Sequence, residues 1–374
     1  MSFIDTCMIP GTLGLDELRA LVAAAAITCE GGIPERQIQP ASIDLTLDAE
    51  AYRLPGSVLP LADETVRDLV RSLALERLDL STATCLGRDQ VYWVRLRERL
   101  SLPPGMEAYA NSKSSTGRID LATRVLADGS PRYDRIPSGY AGELWLELIP
   151  RSFNVVAEAG VSLTQAIFFC ERRVLTHATL SARHLQQPLL RDSLGTAVPS
   201  KSCLFDGRVV MTADLSLPVV GFMAKRTHQP LVLTRLRSHA PADFFVAVEK
   251  PSSGYLFLEK DRFFILATRE GVVVPGDLAC EMVPFDAAAG EFRAHYAGFF
   301  DPGWGIFAGE ERGAKAVLEV RAHQDDLILR HGQPICAMAF EQLTRPCTRL
   351  YGSCGNSYAN QDGPTLSKHF VVTG

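Results

Sequence analysis

The feature that most constrains the fold is an internal echo, in which short segments of the first half recur in order about 170 residues later. The clearest matches are Asp44-Leu45-Thr46-Leu47 with Asp214-Leu215-Ser216-Leu217, Leu146-Glu147-Leu148 with Leu318-Glu319-Val320, and Gln165–Phe169 with Cys336–Phe340. Because the matches keep their order, the sequence predicts two copies of one fold. We assign residues 1–190 to copy one and residues 191–374 to copy two, with the connection within Ser181–Ser202.

Most of each copy consists of short β-type runs separated by glycine and proline. Ser42–Leu47 alternates polar and apolar residues as a half-buried strand does, and Val91–Leu96 is a second such run. Helical patterns are few: one begins with Asp16 and Glu17, and one covers Glu64–Leu75. The expected fold class is therefore mainly β, a β-rich α+β chain of tandem barrel or jelly-roll-type domains with few helices.

Composition excludes several classes of function. A formal net charge of -5 gives no electrostatic reason to expect a nucleic-acid partner, so any phosphate must be held by local cations. The nine cysteines contain no C-x-x-C pair, which predicts reduced thiols, a cytoplasmic location and no protein-bound transition metal. The N-terminal apolar run Ala20–Ile27 is too short to span a bilayer, so no membrane partner is expected.

Residues with chemical potential concentrate in copy one. The run Lys113–Arg118 combines hydroxyl groups with two cations, and Glu147 follows on a strand whose two faces are both apolar. A desolvated carboxylate needs a partner or a function, and one that exchanges protons near neutral pH belongs in such a place. Copy two lacks the cluster near Cys280–Pro284, although Glu319 matches Glu147.

These motifs resemble the dCTP deaminase family, which belongs to the trimeric dUTPase-like superfamily. The resemblance rests on Ser42-Ile43-Asp44-Leu45, Lys113-Ser114-Ser115-Thr116-Gly117-Arg118, Leu146-Glu147-Leu148, Asp301-Pro302-Gly303-Trp304 and the C-terminal run Tyr358–Lys368. It covers residues 36–175 and, more weakly, residues 205–370. Members normally carry one copy of the fold, so the resemblance implies a fused variant with two dUTPase-like domains.

The family's chemistry, as the resemblance implies it, is hydrolytic deamination of dCTP to dUTP and ammonia without a transition metal. Glu147 aligns with the glutamate that activates water and passes the proton to the leaving amine. Ser114 aligns with a serine that helps hold the water, and Arg118 with an arginine near the glutamate and the phosphates. The motifs of zinc-dependent nucleobase deaminases, H-x-E and P-C-x-x-C, do not occur in the sequence.

The resemblance also implies a set of substrate-binding residues. Lys113 and Ser115 would contact the triphosphate, and Tyr358 and Gln361 would close over the nucleotide as part of a C-terminal lid. The other implied contacts are Arg135, the backbone of Ala297, and Asp301, which keeps an aspartate that Pro137 replaces in copy one. Mg²⁺ would accompany the triphosphate and would need no dedicated protein site.

Several alternatives stay open. The chain could combine deamination with dUTP diphosphate hydrolysis, or it could be a nucleotide-binding regulator without turnover. Glu147 could be a structural partner of Arg118, and residues 358–368 could be a disordered terminus. The expected partners are dCTP and further copies of the chain, as a trimer or a pseudo-symmetric dimer. The preferred cytosine nucleotide, inhibition by dTTP and a catalytic role for Glu319 are not fixed by the sequence.

Overall fold

The computed structural model describes residues 9–283, 293–294, 298–322, 325–353, 358 and 361–372. The elements up to residue 186 are α1 (Leu15–Ala23), β1 (Ile27–Cys29), a 3₁₀ turn (Glu35–Gln37), β2 (Ile43–Leu54), α2 (Val66–Leu73), β3 (Glu76–Asp79), β4 (Thr84–Leu86), β5 (Val91–Ser101), β6 (Glu107–Ser112), α3 (Ser114–Gly117), β7 (Leu121–Ala127), β8 (Arg135–Ile136), β9 (Ala141–Pro150), β10 (Val155–Ala157), β11 (Ser162–Phe169) and α4 (His177–Gln186).

The later elements of the described residues follow in chain order. They are β12 (Leu190–Arg191), α5 (Ser200–Cys203), β13 (Leu204–Phe205), β14 (Arg208–Thr212), β15 (Val219–Ala224), β16 (Leu231–Val232), α6 (Pro241–Phe244), β17 (Phe245–Glu249), β18 (Tyr255–Leu258), β19 (Phe263–Val272), β20 (Leu278–Val283), β21 (Arg293–Ala294), β22 (Phe299–Phe300), β23 (Ile306–Phe307), β24 (Glu310–Glu311), β25 (Ala314–Arg321), β26 (Leu327–Arg330) and β27 (Pro334–Gln342). The prediction of a mainly β chain is confirmed.

The chain forms two compact units, each assembled from segments that are not continuous in sequence. Unit 1 contains residues 1–172, 226–243 and 367–374, and unit 2 contains residues 173–225 and 244–366. The last segment of the chain therefore belongs to unit 1, although it follows unit 2 in sequence. The division into copies at residues 190 and 191 stays a prediction about the repeat.

Unit 1 is built on a nine-stranded sheet with the strand order β7-β9-β5-β2-β11-β6-β8, with β1 on β5 and β3 on β2. The long strand β2 connects the two parts of this path. Its residues up to Thr46 pair with β11, whereas the ladder from Leu47 onward pairs with β5. One strand that serves two ladders bends the sheet toward a barrel, so the core lies inside a nearly closed wall.

Unit 2 places its core between two sheets. One sheet has the order β17-β15-β19-β25-β21 and the other the order β13-β14-β27-β20-β22. Leu266 and Leu318 from the first sheet share one apolar cluster with Met211 and Met338 from the second. These residues alternate along their strands with residues of the opposite face, as expected for packed sheets.

The described residues include three helices of eight or more residues, and two of them lie in segments that the sequence predicted to be helical. Both predicted helical segments contain a helix, α1 and α2, and the Thr65 side chain caps α2 by accepting from the Asp68 N–H at 3.1 Å. Helix α4 was not predicted, although Thr176 caps it in the same way. Among the described residues, none of the helices combines the length and the apolar character that a membrane span requires.

In each copy, a buried glutamate binds the threonine at which one strand changes from one neighbouring strand to another. In unit 1, Glu98 is 0% exposed and accepts the Thr46 N–H at 2.8 Å, the Thr46 hydroxyl at 2.7 Å and the Gln37 amide at 2.9 Å. In unit 2, Glu270 accepts the Thr212 N–H at 2.8 Å and the Thr212 hydroxyl at 2.6 Å. Glu98 and Glu270 both lie where the strand register shifts, so the irregularity directs the carboxylate to the threonine.

The shared threonine–glutamate pair corrects two of the sequence matches. Since Thr46 and Thr212 occupy the same structural position, the counterpart of Asp44 is Val210, and the match of Asp44 with Asp214 is wrong. Asp44 pairs with Gln165 and Val210 pairs with Ala337, so Gln165 corresponds to Ala337, and the match of Gln165–Phe169 with Cys336–Phe340 is wrong by one residue. The match of Glu147 with Glu319 agrees with the ladders. Glu147 pairs with the residue five before Glu98, and Glu319 pairs with the residue five before Glu270.

We predict that Glu98→Gln destabilises the protein by about 1–3 kcal/mol, because an amide cannot accept three hydrogen bonds and leaves buried donors unpaired. Denaturant unfolding of the intact chain measures this change. Glu76→Gln is the matched control, since Glu76 forms an ion pair with Arg53 that is largely exposed and should contribute below about 1 kcal/mol. Equal stability of the two variants would contradict the structural role of Glu98.

Candidate active site

The run predicted to bind phosphate forms a tight turn held against β11. β6 ends at Ser112, and α3 begins one residue after Lys113. The Lys113 N–H donates to the Leu163 carbonyl at 3.0 Å, and the Thr116 hydroxyl donates to the same carbonyl at 2.8 Å. Ser114 is half-buried, and its side chain makes no hydrogen bond to another residue of the described ranges. The turn thus presents Ser114 while the residues around it are fixed.

Three charged side chains converge on this turn. The Lys113 ammonium forms an ion pair with Asp44 Oδ2, and the carboxylate of Asp44 is 7% exposed. Asp44 Oδ1 is buried and finds no hydrogen-bond partner in the described part of the chain. Burial and the nearby charge of Lys113 lower the pKa of Lys368, while Asp44 acts in the opposite direction. Lys113 is therefore paired with a carboxylate that is only half satisfied, and Lys368 lies close enough to be influenced by both charges.

The C-terminal segment of unit 1 reaches the turn through Ser367. The Ser367 hydroxyl donates to the Ser115 carbonyl at 2.7 Å and lies 2.8 Å from His369 Nδ1. The backbone N–H groups of Arg237 and Ser238 donate to the carbonyls of Lys368 and His369 at 3.0 and 3.1 Å. This pairing holds Lys368 beside Lys113, so residues 367–369 are an ordered part of the site.

Glu147 lies on β9, and the residues that bind it are not those of the Lys113 turn. Its side chain is 0% exposed; Oε1 binds the Arg124 guanidinium at 2.5 Å and Oε2 accepts the Trp93 indole N–H at 3.2 Å. The Arg124 guanidinium lies 4.1 Å from the centre of the Tyr133 ring. Glu147 is therefore desolvated as predicted, and it already has a cationic partner that the sequence did not reveal.

A second carboxyl group lies in the same region. Asp134 Oδ1 accepts the Val125 N–H at 2.8 Å, and burial raises the pKa of Asp134 to about 7. Glu147 raises this pKa further, whereas Arg124 lowers it. Burial also raises the pKa of Tyr133. The surroundings of Glu147 thus disfavour additional negative charge.

Arg118 and Arg135 have different environments. Arg118 follows α3, is 2% exposed, and donates its backbone N–H to the Ser114 carbonyl at 3.1 Å. Arg135 begins β8, is exposed, and places its guanidinium 4.5 Å from the centre of the Tyr109 ring. Arg135 is therefore held by the half-buried Tyr109 ring and keeps its guanidinium accessible to solvent.

The predicted binding residues of copy two lie in unit 2. Tyr358 is buried in the apolar cluster of that unit, and the Gln361 amide donates to the Lys315 carbonyl at 2.7 Å. Asp301 is 8% exposed, and its carbonyl accepts the Trp304 N–H at 3.1 Å in a turn. Glu319 is 3% exposed in the centre of β25. Ala297 lies outside the described residues.

Sequence reasoning assigned no role to Asp44, Arg124 or Lys368. Lys368 is the last residue of the C-terminal motif and Asp44 belongs to the early strand motif, so both carried a signal that was not used. Arg124 carried none, because one arginine within the apolar strand β7 reads as a surface residue. The described residues contain no group of three or more His, Cys, Asp or Glu side chains that could hold a metal.

Two family models together match most of the chain. The N-terminal domain of 2'-deoxycytidine 5'-triphosphate deaminase matches residues 9–172, and the C-terminal domain matches residues 176–370. This chain belongs to the dCTP deaminase family. The Lys113 turn and Glu147 thus lie in the N-terminal domain of a dCTP deaminase family member, and Glu319 and Gln361 lie in the C-terminal domain.

Similar proteins of known name agree with the family. The solved structure of 2'-deoxycytidine 5'-triphosphate deaminase from Agrobacterium tumefaciens superposes with a TM-score of 0.82 at 36% identity, over 90% of this chain and 99% of that chain. Proteins named "dCTP deaminase, dUMP-forming" from Kocuria rhizophila and Dictyoglomus turgidum are each 31% identical over 36% and 34% of this chain. The match spans 64% of the length of each of these two relatives.

The buried His369 should make stability depend on pH. Burial and the charge of Lys368 lower the pKa of His369 to about 4, so the neutral ring stabilises the fold above the unfolded pKa near 6.5. This contribution, up to about 3 kcal/mol, is lost as the pH falls from 6.5 through 4. We predict that the stability difference between wild type and His369→Gln, measured by denaturant unfolding, shrinks over that range. A constant difference at pH 7 and pH 4 would contradict this.

Proposed function

We propose that this protein hydrolyses the C4 amino group of dCTP and releases dUTP and ammonia. The observation that supports this proposal most strongly is the Lys113 turn of unit 1, where Lys113 pairs with Asp44 next to the half-buried Ser114 and Lys368 lies nearby. Membership of the dCTP deaminase family and the names of the similar proteins support the same substrate class.

The charges at the turn favour a polyphosphate. Lys113 and Lys368 carry two positive charges, and Asp44 carries one negative charge. The site therefore has an excess of positive charge, and the two ammonium groups repel each other. A phosphate oxygen that binds Lys113 would replace Asp44 as its partner and reduce this repulsion. Mg²⁺ would arrive with the triphosphate as part of the substrate. Ser115 and Arg135 remain proposed contacts of the same ligand.

The reaction requires one group that acts first as a base and then as an acid. A carboxylate removes a proton from water while the water oxygen forms a bond to C4. The carboxyl group gives that proton to N3, and the carboxylate then takes the proton of the new C4 hydroxyl and passes it to the amino group. The C4–N4 bond breaks, ammonia leaves, and C4 becomes a carbonyl next to the protonated N3. We propose Ser114 as the group that holds the water and Arg118 as a further cation of the site, whereas the cation bound to Glu147, which favours its ionised form, is Arg124.

Glu147 is the first candidate for this carboxylate, and one observation favours a second. The Glu147 side chain is 0% exposed beneath Arg124 and Trp93, which bind its two oxygens, so a water can reach it only if one of these partners moves. Glu319 occupies the equivalent strand position in the unit that also contains Asp301, Tyr358 and Gln361. Arg124 is 37% exposed and is the partner of Glu147 that can move.

Removal of Lys113 tests the phosphate-binding turn. We expect Lys113→Met to raise the KM for dCTP by about 10- to 100-fold, the loss of a charge-assisted contact, with a smaller effect on kcat. Lys201→Met is the control, because Lys201 is an exposed lysine of unit 2. Steady-state ammonia release measures both constants. An unchanged KM in Lys113→Met would contradict the proposed turn function.

Paired amide substitutions identify the base. Glu147→Gln and Glu319→Gln keep the size of each side chain and remove its basicity, and the variant that lacks the base should lose about 10²- to 10⁴-fold in kcat. Two controls show that each variant is folded: its circular dichroism spectrum, and its binding of dCTP measured by calorimetry. A loss of kcat in Glu319→Gln alone would assign the role of the base to Glu319 instead of Glu147. Normal kcat in both variants would show that neither carboxylate is the base.

The products separate the bifunctional alternative from simple deamination. Ion-exchange chromatography after incubation with dCTP and Mg²⁺ should show dUTP with an equal amount of ammonia. Relatives named "dUMP-forming" support the alternative, in which dUMP and pyrophosphate appear instead. Binding of dCTP without any product would favour the nucleotide-binding regulator.

A further inference from the structure

Unit 2 contains a cavity of about 820 Å³ that includes none of the residues proposed above for catalysis or substrate binding. Its walls are the turn Asp192–Gly195, the β19 segment around Arg269, and the hairpin of β23 and β24. A cavity of this volume lies within the range that holds nucleotide-sized ligands.

The cavity depends on a structure that copy one lacks. In unit 1, β8 and β9 are joined by the short turn 137–140, whereas in unit 2 the hairpin of β23 and β24 lies between β22 and β25. At the base of this hairpin Gly313 has φ +78°, and a Cβ there would lie 2.9 Å from the Gly271 carbonyl oxygen. Only glycine permits this close approach, so the hairpin is fitted to β19.

Two arginines on the wall have unused hydrogen-bonding capacity. Arg191 donates to the Gly195 carbonyl at 3.1 Å and forms an ion pair with Glu311, also a wall residue, at 3.5 Å, so its spare donor is Nε, which is buried without a partner in the described ranges. Arg269 is exposed and forms no ion pair with a described residue. Guanidinium groups in this state match the oxygens of a phosphate, because they offer several donors in one plane.

The other walls suit the remainder of a nucleotide. Phe307 is half-buried and packs against the core of unit 2, so it offers an apolar surface for a base. Asp362 is an exposed carboxylate that can accept hydrogen bonds from sugar hydroxyl or base amino groups. The Lys315 ammonium is occupied by Asp214 at 2.6 Å and does not contribute a free charge.

We propose that this cavity is a second nucleotide-binding site, which holds a nucleoside triphosphate by its phosphates at Arg191 and Arg269 and performs no chemistry on it. The site goes beyond the proposed deamination, since it uses different residues and a hairpin that only copy two contains. A site of this kind would let the chain sense a nucleotide other than its substrate.

Calorimetric titration of the intact protein with ATP tests the proposal, because ATP carries the phosphates and lacks the cytosine base of the proposed substrate. Wild type should bind ATP, and Arg191→Met and Arg269→Met should each raise the Kd at least tenfold. Arg262→Met is the matched control, since Arg262 is a partly exposed arginine of unit 2 paired with Glu259 and does not line the cavity. This variant should bind ATP as wild type does.

Three results would overturn the proposal. Wild type could fail to bind ATP at millimolar concentration, or the Arg191 and Arg269 variants could bind it with unchanged affinity. Sodium tripolyphosphate could also bind as tightly as ATP, which would show that the site does not recognise the nucleoside part of the ligand. The readout is binding to unit 2 residues and not ammonia release, so any of these results leaves the deamination proposal to its own tests.

Discussion

The architecture of both copies depends on a buried carboxylate that binds one threonine at the point where a strand changes its partner. Glu98 offsets its desolvation, which raises its pKa, by accepting three hydrogen bonds from Thr46 and Gln37. Because Thr46 is held, β2 can pair with β11 before it and with β5 after it. Glu270 holds Thr212 in the second copy, so both copies use the same constraint although their other residues differ.

This constraint also positions the charges of the proposed site. Asp44 lies two residues before Thr46, on the part of β2 that pairs with β11, and the Lys113 turn is bonded to β11 through Leu163. The ion pair between Asp44 and Lys113 therefore joins two segments whose positions are set by the same strand. The second copy has Val210 in place of Asp44, so it keeps the frame without this pair of charges. The two copies therefore have the same frame and different charges at this position.

The sequence predicted what depends on local pattern. It predicted the mainly β fold, helices α1 and α2, and the equivalence of Glu147 and Glu319, because alternation and motif order are visible in the chain itself. It did not predict the Arg124 partner of Glu147 or the approach of Lys368 to Lys113, since these contacts join residues that are distant in sequence. The wrong match of Asp44 with Asp214 has the same origin: an Asp-Leu-x-Leu pattern repeats, while the bulge that sets the register has no sequence signature.

The central claim is that water attacks C4 of a cytosine nucleotide, and an isotope experiment tests it most directly. The protein is incubated with dCTP in H₂¹⁸O, and the nucleotide product is analysed by mass spectrometry after separation of base and phosphates. Hydrolytic deamination predicts a uracil base that carries one ¹⁸O atom, together with one ammonia per base. Recovery of unlabelled cytosine alone, or of uracil without ¹⁸O, would contradict the claim.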